Sequence, residues 1–471
     1  MSRNISKPLV YIYIISLILH LAVFSFFLLK QGEIGGLFVV DASDYVGEAK
    51  NIADGHGFSV TPEAPYIPNA TIGPLYPLYL SIFYRFTGHF WPAVLVQNII
   101  ASFIPILVFL IGSYFILDRR ILWGAALFSA IEPNLLYYTS VVASEGVFIV
   151  LLLLSMLAFI RFLKTDKKSW LIVSALILGL TVLSRIAIQY LVGFLAFWLL
   201  VYFIKKKYST KVIIQNLAIL LLVYFAFISP WMIRNWRTFG HTELATTGWI
   251  DLYTRTGSSV RALVEGTSYG ESYHRQLQDL VDQGIIKDAD EREMYGFQFQ
   301  PLLKAQTLTL FREHPEELVK VSLISFISIL TQDNTYVFLH QAGVLPAVPG
   351  NVSPSLILFQ KGIRGVVATM LTLARNQAYL VIYAGRILWA ILTVLFAVGV
   401  YALWKAKESR AFISFLMLVI FYVWGISIPL TASISARYRT PIIPIMSLFI
   451  VVGAWYLAYR IFSRYVSPRS Q

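Results

Sequence analysis

The chain has 471 residues, of which 57% are apolar and 13% charged, with a mean hydropathy of +0.68. A water-soluble globular protein of this length needs far more polar surface, so that class is excluded and lipid is the solvent for most of the chain. The formal charge of +13 does not indicate nucleic acid, because the cations stand in short clusters between apolar runs, and the absence of cysteine excludes disulfides, thiolate metal sites and a Cys nucleophile.

In chain order, Arg3 and Lys7 precede an apolar run, Leu9–Leu29, which reads as a retained first spanning helix that also serves as the insertion signal. Asp41 to Asp54 predicts an amphipathic helix closed by Gly55. Its Asp41, Asp44 and Glu48 fall at i, i+3 and i+7 on one face, Val46, Ala49 and Ala53 on another, as in a helix lying on a membrane surface. Further spanning runs are Ala93–Leu117, Ile121–Tyr138, Gly146–Leu163, Trp170–Leu183, Ile186–Ile204, Val212–Met232, Leu380–Trp404, Phe412–Pro429 and Pro441–Phe462. Leu318–Leu330, short and carrying Lys320, reads as re-entrant or interfacial. The sum is an all-α polytopic membrane protein with about ten crossings. It divides into an N-terminal membrane module (1–232, with a first outer loop at 30–91), an outer helical insert and loop (233–378) and C-terminal membrane helices (379–471). Within the insert, Glu271–Gly284 and Asp288–Phe311 have helical patterns, and the Pro- and Gly-rich Gln341–Pro354 reads as a loop over a site.

With these crossings, six basic clusters fall on one side: Arg3/Lys7, Arg119/Arg120, Arg161 to Lys168, Lys205 to Lys211, Lys405 to Arg410, and Arg460 to Arg469. The positive-inside rule makes that side, and with it both termini, cytoplasmic. The polar residues at membrane level then gather on the other face: Asp41, Asp44, Glu48, Glu132, Glu145, Arg185, Arg234, Asn235, Arg437 and Arg439. Arginines at helix ends on the wrong side for topology need a reason, and an anionic ligand at headgroup level supplies one, since the planar guanidinium fork suits phosphate. A sugar joined through C1 to a polyprenyl phosphate is such a ligand: an acceptor hydroxyl attacks C1, cations stabilise the departing phosphate, and a carboxylate takes the proton. The chain has no P-loop and no Gly-rich dinucleotide fingerprint. Plainer readings stand beside these. Asp41 is also a favoured helix N-cap, Glu132 before Pro133 ends a helix, and Arg234 suits a headgroup anchor. Tyr66, Tyr76 and Tyr79 fit an interfacial belt or a stacking surface for a sugar.

Six elements in order resemble the GT-C type membrane glycosyltransferases, in the branch that holds the aminoarabinose transferase, the protein O-mannosyltransferases and the Rgt-like bacterial enzymes. They are DASDYVGEAKNIADGHGF (Asp41–Phe58), IGPLYPLYL (Ile72–Leu80), ASEGVF (Ala143–Phe148), LSRIA (Leu183–Ala187), SPWMIRNW (Ser229–Trp236) and ARYRTPIIP (Ala436–Pro444). The resemblance implies a polyprenyl-phosphate-sugar donor, inversion at the anomeric carbon, and Asp41 as the leading catalytic carboxylate, with Glu145 as the second acidic position and Asp44 beside them. Tyr45, Tyr76, Arg185, Arg234, Arg437 and Arg439 are the substrate-binding candidates. Ala42 departs from the pattern, since many relatives place Glu there, and the insert around Tyr269–Glu293 has no counterpart. The acceptor, whether lipid, glycan or protein, is not legible. No cofactor is assigned, and the carboxylates suit either a base or a divalent cation. A transporter or flippase of lipid-linked sugars is the alternative. It calls for repeated halves and charges at mid-depth, and neither stands in the sequence.

Overall fold

A computed structural model describes residues 3–39, 42–59, 61–348, 354–429 and 436–466. Asp41 therefore lies outside the described residues. A long first helix, α1 (Arg3–Gly32), leads into a first loop that holds α2 (Ala42–Ala53) and α3 (Leu75–Thr87). The membrane helices of the N-terminal half follow: α4 (Trp91–Ala101), α5 (Ile104–Gly112), α6 (Arg119–Ile131), α7 (Pro133–Thr139), α8 (Glu145–Thr165), α9 (Lys168–Ser184), α10 (Leu191–Lys205) and α11 (Thr210–Phe239). The insert comprises α12 (Thr247–Asp251), α13 (Ser258–Glu265), α14 (Tyr269–Asp282) and α15 (Gln300–Glu313), and continues into α16 (Pro315–Thr331), α17 (Thr335–Gln341) and α18 (Pro354–Leu373). The chain closes with α19 (Gln377–Trp404), α20 (Arg410–Ser427) and α21 (Ile443–Val466). Among the described residues extended pairing is limited to two isolated bridges, Phe38 with Val142 and Ser59 with Pro68.

Eight helices among the described residues are long and apolar enough to cross a membrane. Helices suit that role because lipid offers no partner to backbone N–H and C=O groups, and a helix satisfies them internally. Two of the ten expected crossings take another form. Trp170–Leu183 appears as the shorter apolar α9, and Ile121–Tyr138 is divided into α6 and α7 at Glu132. Pro133 forces the division. A proline disfavours helical backbone in the residue before it, so Glu132 is extended at ψ 120° and its carboxylate instead caps α7, accepting from Leu135 N–H at 2.7 Å. The expected span Ala93–Leu117 likewise stops at Gly112.

The tightest contact in the bundle joins α19 and α21. A Cβ on Gly399 would collide with the carbonyl of Phe449, and one on Gly453 with the carbonyl of Leu395. The two backbones touch where neither has a side chain, as small residues allow in membrane helices.

The insert differs from expectation in its middle. Helix α14 matches the predicted segment, but Asp288–Phe311 is helical only from Gln300, after short 3₁₀ turns at Glu291–Met294 and Phe297–Phe299. Asp290 caps the first turn through Arg292 N–H at 2.9 Å, Gly296 is extended, and Pro301 stands in the first turn of α15, so the helix starts late. A small core of Ile250, Leu277, Met294 and Leu303 supports the insert. Helix α2 also departs from the expected membrane-surface helix: it packs on α3, and Glu48 is buried.

Candidate active site

The chain between α7 and α8 is not helical, so its polar backbone needs partners from elsewhere. Gln97 of α4 donates through Nε2 to the carbonyls of Thr139 and Val141 at 2.9 and 3.0 Å, and Val142 N–H donates to Leu37 C=O at 2.8 Å. Gly146 allows this arrangement, since a Cβ there would lie 2.6 Å from the Gln97 side chain. Glu145, the first residue of α8, is thereby fixed in the interior with no exposed surface.

Two arginines converge on it. Arg185 follows α9 in extended backbone and donates from Nη1 to Glu145 Oε1 at 2.7 Å. Arg437 comes from the 3₁₀ segment Ala436–Ile442, and donates from Nε to Oε1 and from Nη2 to Oε2, the latter at 3.2 Å. One carboxylate thus serves two guanidiniums, and the trio carries one net positive charge where Coulomb interactions are poorly screened. Arg437 also faces the ring of Tyr138 and Arg185 that of Phe148.

A polar network behind this cluster holds Arg437 in place, and sequence reasoning missed most of it. Asn334 donates through Nδ2 to Tyr138 Oη at 2.7 Å, and its Oδ1 accepts from Ala436 N–H, the residue before Arg437, at 3.3 Å. Asn334 N–H donates to Asn134 Oδ1 at 3.2 Å, while Asn134 Nδ2 donates to Glu132 at 2.6 Å and to Asp333 at 3.0 Å. The available signal was the triplet Gln332, Asp333 and Asn334 ending the apolar run of α16.

The first loop closes over the same end of the bundle. Before Asp41, Phe38 bridges to Val142, and after it Ala42 N–H donates to Val39 C=O at 2.8 Å. Tyr45 on α2 donates to Ser144 Oγ at 3.2 Å, next to Glu145. Gly73 brings the loop against the end of α9, where a Cβ would strike the Leu183 carbonyl, two residues before Arg185. The structure therefore gathers Tyr45, Glu145, Arg185 and Arg437. Asp44 is half-buried on the opposite side of α2, facing a cavity.

Three candidates stand elsewhere. Tyr76 is fully buried, edge-on beneath Tyr45 at 4.9 Å, and supports that ring instead of presenting a surface. Arg439 is fully buried, stacked on Trp389 at 3.5 Å, and donates to the carbonyls of Ile329 and Gln332 at the end of α16. That is the geometry of a cation satisfying helix-terminal carbonyls, not of a ligand-facing charge. Arg234 clamps the first loop to α11: it donates to the carbonyls of Asn69 at 2.6 Å and Phe58 at 3.2 Å, and rests on Trp231, Phe58 and Phe239.

Glu48 accepts from Asn69 beside this clamp. Burial raises its pKa to about 8, with Asp44 adding to the shift and the Asn69 hydrogen bond and Arg234 opposing it. A carboxyl whose pKa is higher folded than unfolded binds its proton more tightly in the fold, so its contribution is complete at low pH and is lost as pH rises towards 8. Thermal unfolding of Glu48→Gln is expected to lose this fall in Tm between about pH 5 and 8, leaving the variant the more stable protein at the upper end. A parallel Tm–pH curve for the variant would refute the assignment.

Among the described residues, no three His, Asp or Glu side chains lie close enough together to hold a metal ion. Two solved structures are similar to this chain. ArnT from Cupriavidus metallidurans in the apo state matches with a TM-score of 0.36 and 11% identity, over 93% of this chain and 77% of that one. ArnT from the same organism bound to undecaprenyl phosphate matches at 0.35 and 9%, over 94% and 78%. No curated protein matches the sequence. Residues 71–233, which run from the first loop into α11 and include Glu145 and Arg185, match the family model described as dolichyl-phosphate-mannose-protein mannosyltransferase.

Proposed function

We propose that the enzyme transfers a sugar from a polyprenyl-phosphate donor to an acceptor hydroxyl or amine on the non-cytoplasmic face of the cell membrane, with inversion at the anomeric carbon. The observation that carries the reading is the convergence of two guanidiniums, Arg185 and Arg437, on the buried carboxylate of Glu145. Paired guanidiniums of this kind stabilise the charge on a departing phosphate. In the step, the acceptor oxygen forms a bond to C1, the bond from C1 to the phosphate oxygen breaks, and the phosphate takes the electron pair. Asp41 accepts the acceptor's proton. Both oxygens of Glu145 are already engaged by guanidiniums, so it positions the arginines and is a poor base. Tyr45 adds a ring beside the cluster.

The test is a transfer assay on the purified full chain with a panel of polyprenyl-phosphate sugars, with and without a chelator. At least one donor is expected to yield polyprenyl phosphate and a product of inverted anomeric configuration. A retained configuration would overturn the single-displacement step, and no turnover across the panel would remove the donor class. Activity that survives the chelator gives the carboxylates the base's role, whereas activity restored only by added cation gives them a metal.

A further inference from the structure

Helix α2 has two working faces. Tyr45 points towards Ser144 and the arginine cluster, while Ser43, Asp44, Gly47 and Glu48, spaced at i, i+1, i+4 and i+5, line a cavity on another side. The cavity has a volume of about 520 Å³, within the range of small-molecule sites. Its other walls come from the first loop at Ile67–Thr71, Thr246, the 3₁₀ turns of the insert from Arg292 to Gln298, and Phe239 at the end of the α11 span. Tyr295, Phe297 and Phe239 supply aromatic surface.

Two polar groups in this wall are without a partner among the described residues. Glu48, 2% exposed, uses Oε1 on Asn69 and leaves Oε2 unbonded. Thr246, 1% exposed, has its backbone tied to Ala70 C=O at 3.1 Å and to Gln300 Nε2 at 2.6 Å, yet its Oγ1 has no hydrogen bond. Buried polar atoms are nearly always satisfied, so two unmet groups in one cavity mark a place where a ligand meets them. Burial keeps the Glu48 carboxyl protonated at neutral pH, which makes its spare oxygen a site for a neutral partner.

We propose that this cavity is the acceptor site and takes a hydroxyl-bearing sugar ring, held by Glu48 and Thr246 and packed on Tyr295 and Phe297. The proposal rests on the transferase reading and names its second substrate. A lipid-linked donor approaches from the bilayer side of α2, where the spanning helices end. The cavity is walled by the insert and first loop, and a water-borne or glycan-borne hydroxyl reaches it without passing through lipid. An acceptor bound there meets the α2 helix whose first turn follows Asp41.

The test uses the full chain in lipid nanodiscs, with methyl glycosides as probes read by saturation-transfer NMR. Gly47→Leu fills the cavity: no atom lies within 4 Å of a Cβ at that position, so the helix accepts the side chain and the space does not. Thr246→Val keeps shape and removes the hydroxyl, and carries the test alone if the leucine variant does not fold. At least one glycoside is expected to bind the unaltered chain, to lose its signal with Gly47→Leu, and to bind about tenfold more weakly with Thr246→Val. In the transfer assay the acceptor KM rises by the same factor while the donor KM stays within about twofold. Equal binding to the variants, or no glycoside binding to the unaltered chain, overturns the proposal. Because binding is read without turnover, a failed donor panel is a separate result and counts against the transferase reading alone.

Discussion

Glu145→Gln is expected to lower kcat/KM for transfer on the order of 10²- to 10³-fold and to cost about 3–5 kcal/mol of stability. Both losses have one cause. The carboxylate is fully buried and is shared by Arg185 and Arg437 from different parts of the chain. Its charge offsets the desolvation of two guanidiniums, and a neutral amide leaves both uncompensated in the interior. The arginines then turn towards other acceptors and lose the geometry in which a phosphate would meet them. Stability and activity separate in a triple variant, Glu145→Leu with Arg185→Met and Arg437→Met. Buried ion clusters are often replaced by apolar side chains without loss, so its Tm is expected to return near the original while transfer stays absent. Thermal unfolding in detergent and the donor assay read the two arms. If Glu145→Gln transfers sugar at a rate close to the original, the trio is a structural tie and the phosphate site lies elsewhere.

Asp41→Asn is expected to reduce kcat on the order of 10²- to 10⁴-fold with little change in the donor KM. The substitution separates two roles the residue suits. Asparagine caps a helix as well as aspartate does, so if Asp41 only starts α2 the variant should be nearly as active as the parent. A base cannot be replaced in this way, because the amide takes no proton. Asp44→Asn gives the comparison: Asp44 lines the cavity on α2, so its loss should appear mainly in the acceptor KM. An Asp41→Asn enzyme with unimpaired turnover would remove Asp41 from the mechanism.

Much of the fold was legible because lipid imposes a simple rule. An apolar run of sufficient length has to be a helix, and α1, α8, α10, α11, α19 and α20 follow it closely. The bend at Glu132 was open to the same logic through Pro133, although the apolar run alone concealed it. In the site, Glu145, Arg185 and Arg437 stood out as charged residues at the ends of apolar runs, and the geometry joins them. Arg234 and Arg439 show the same signal with a different outcome, for a guanidinium satisfies remote backbone carbonyls as well as it does phosphate. Those carbonyls lie more than a hundred residues away in sequence, at Phe58 and Asn69 for Arg234 and at Ile329 and Gln332 for Arg439. No local pattern announces such a pairing. Asn134 and Asn334 were hidden for a related reason: one stands in the first turn of α7 and the other just before α17, and only the fold places them together. The insert was misread where Asp290, Gly296 and Pro301 interrupt an otherwise helical periodicity.

The glycine contact between α19 and α21 makes the last helix a lever with a fixed fulcrum. From Gly453 to Arg437 the arm is roughly 24 Å at the rise of a helix. A rotation of about 5° at the fulcrum would sweep its tip by about 2 Å, more than a phosphate clamp tolerates before catalysis suffers. The bare backbones at Gly399 and Gly453 leave no slack for that rotation. A single methyl group at either position, deep among the lipid-facing helices and far from any substrate, would be felt first in turnover.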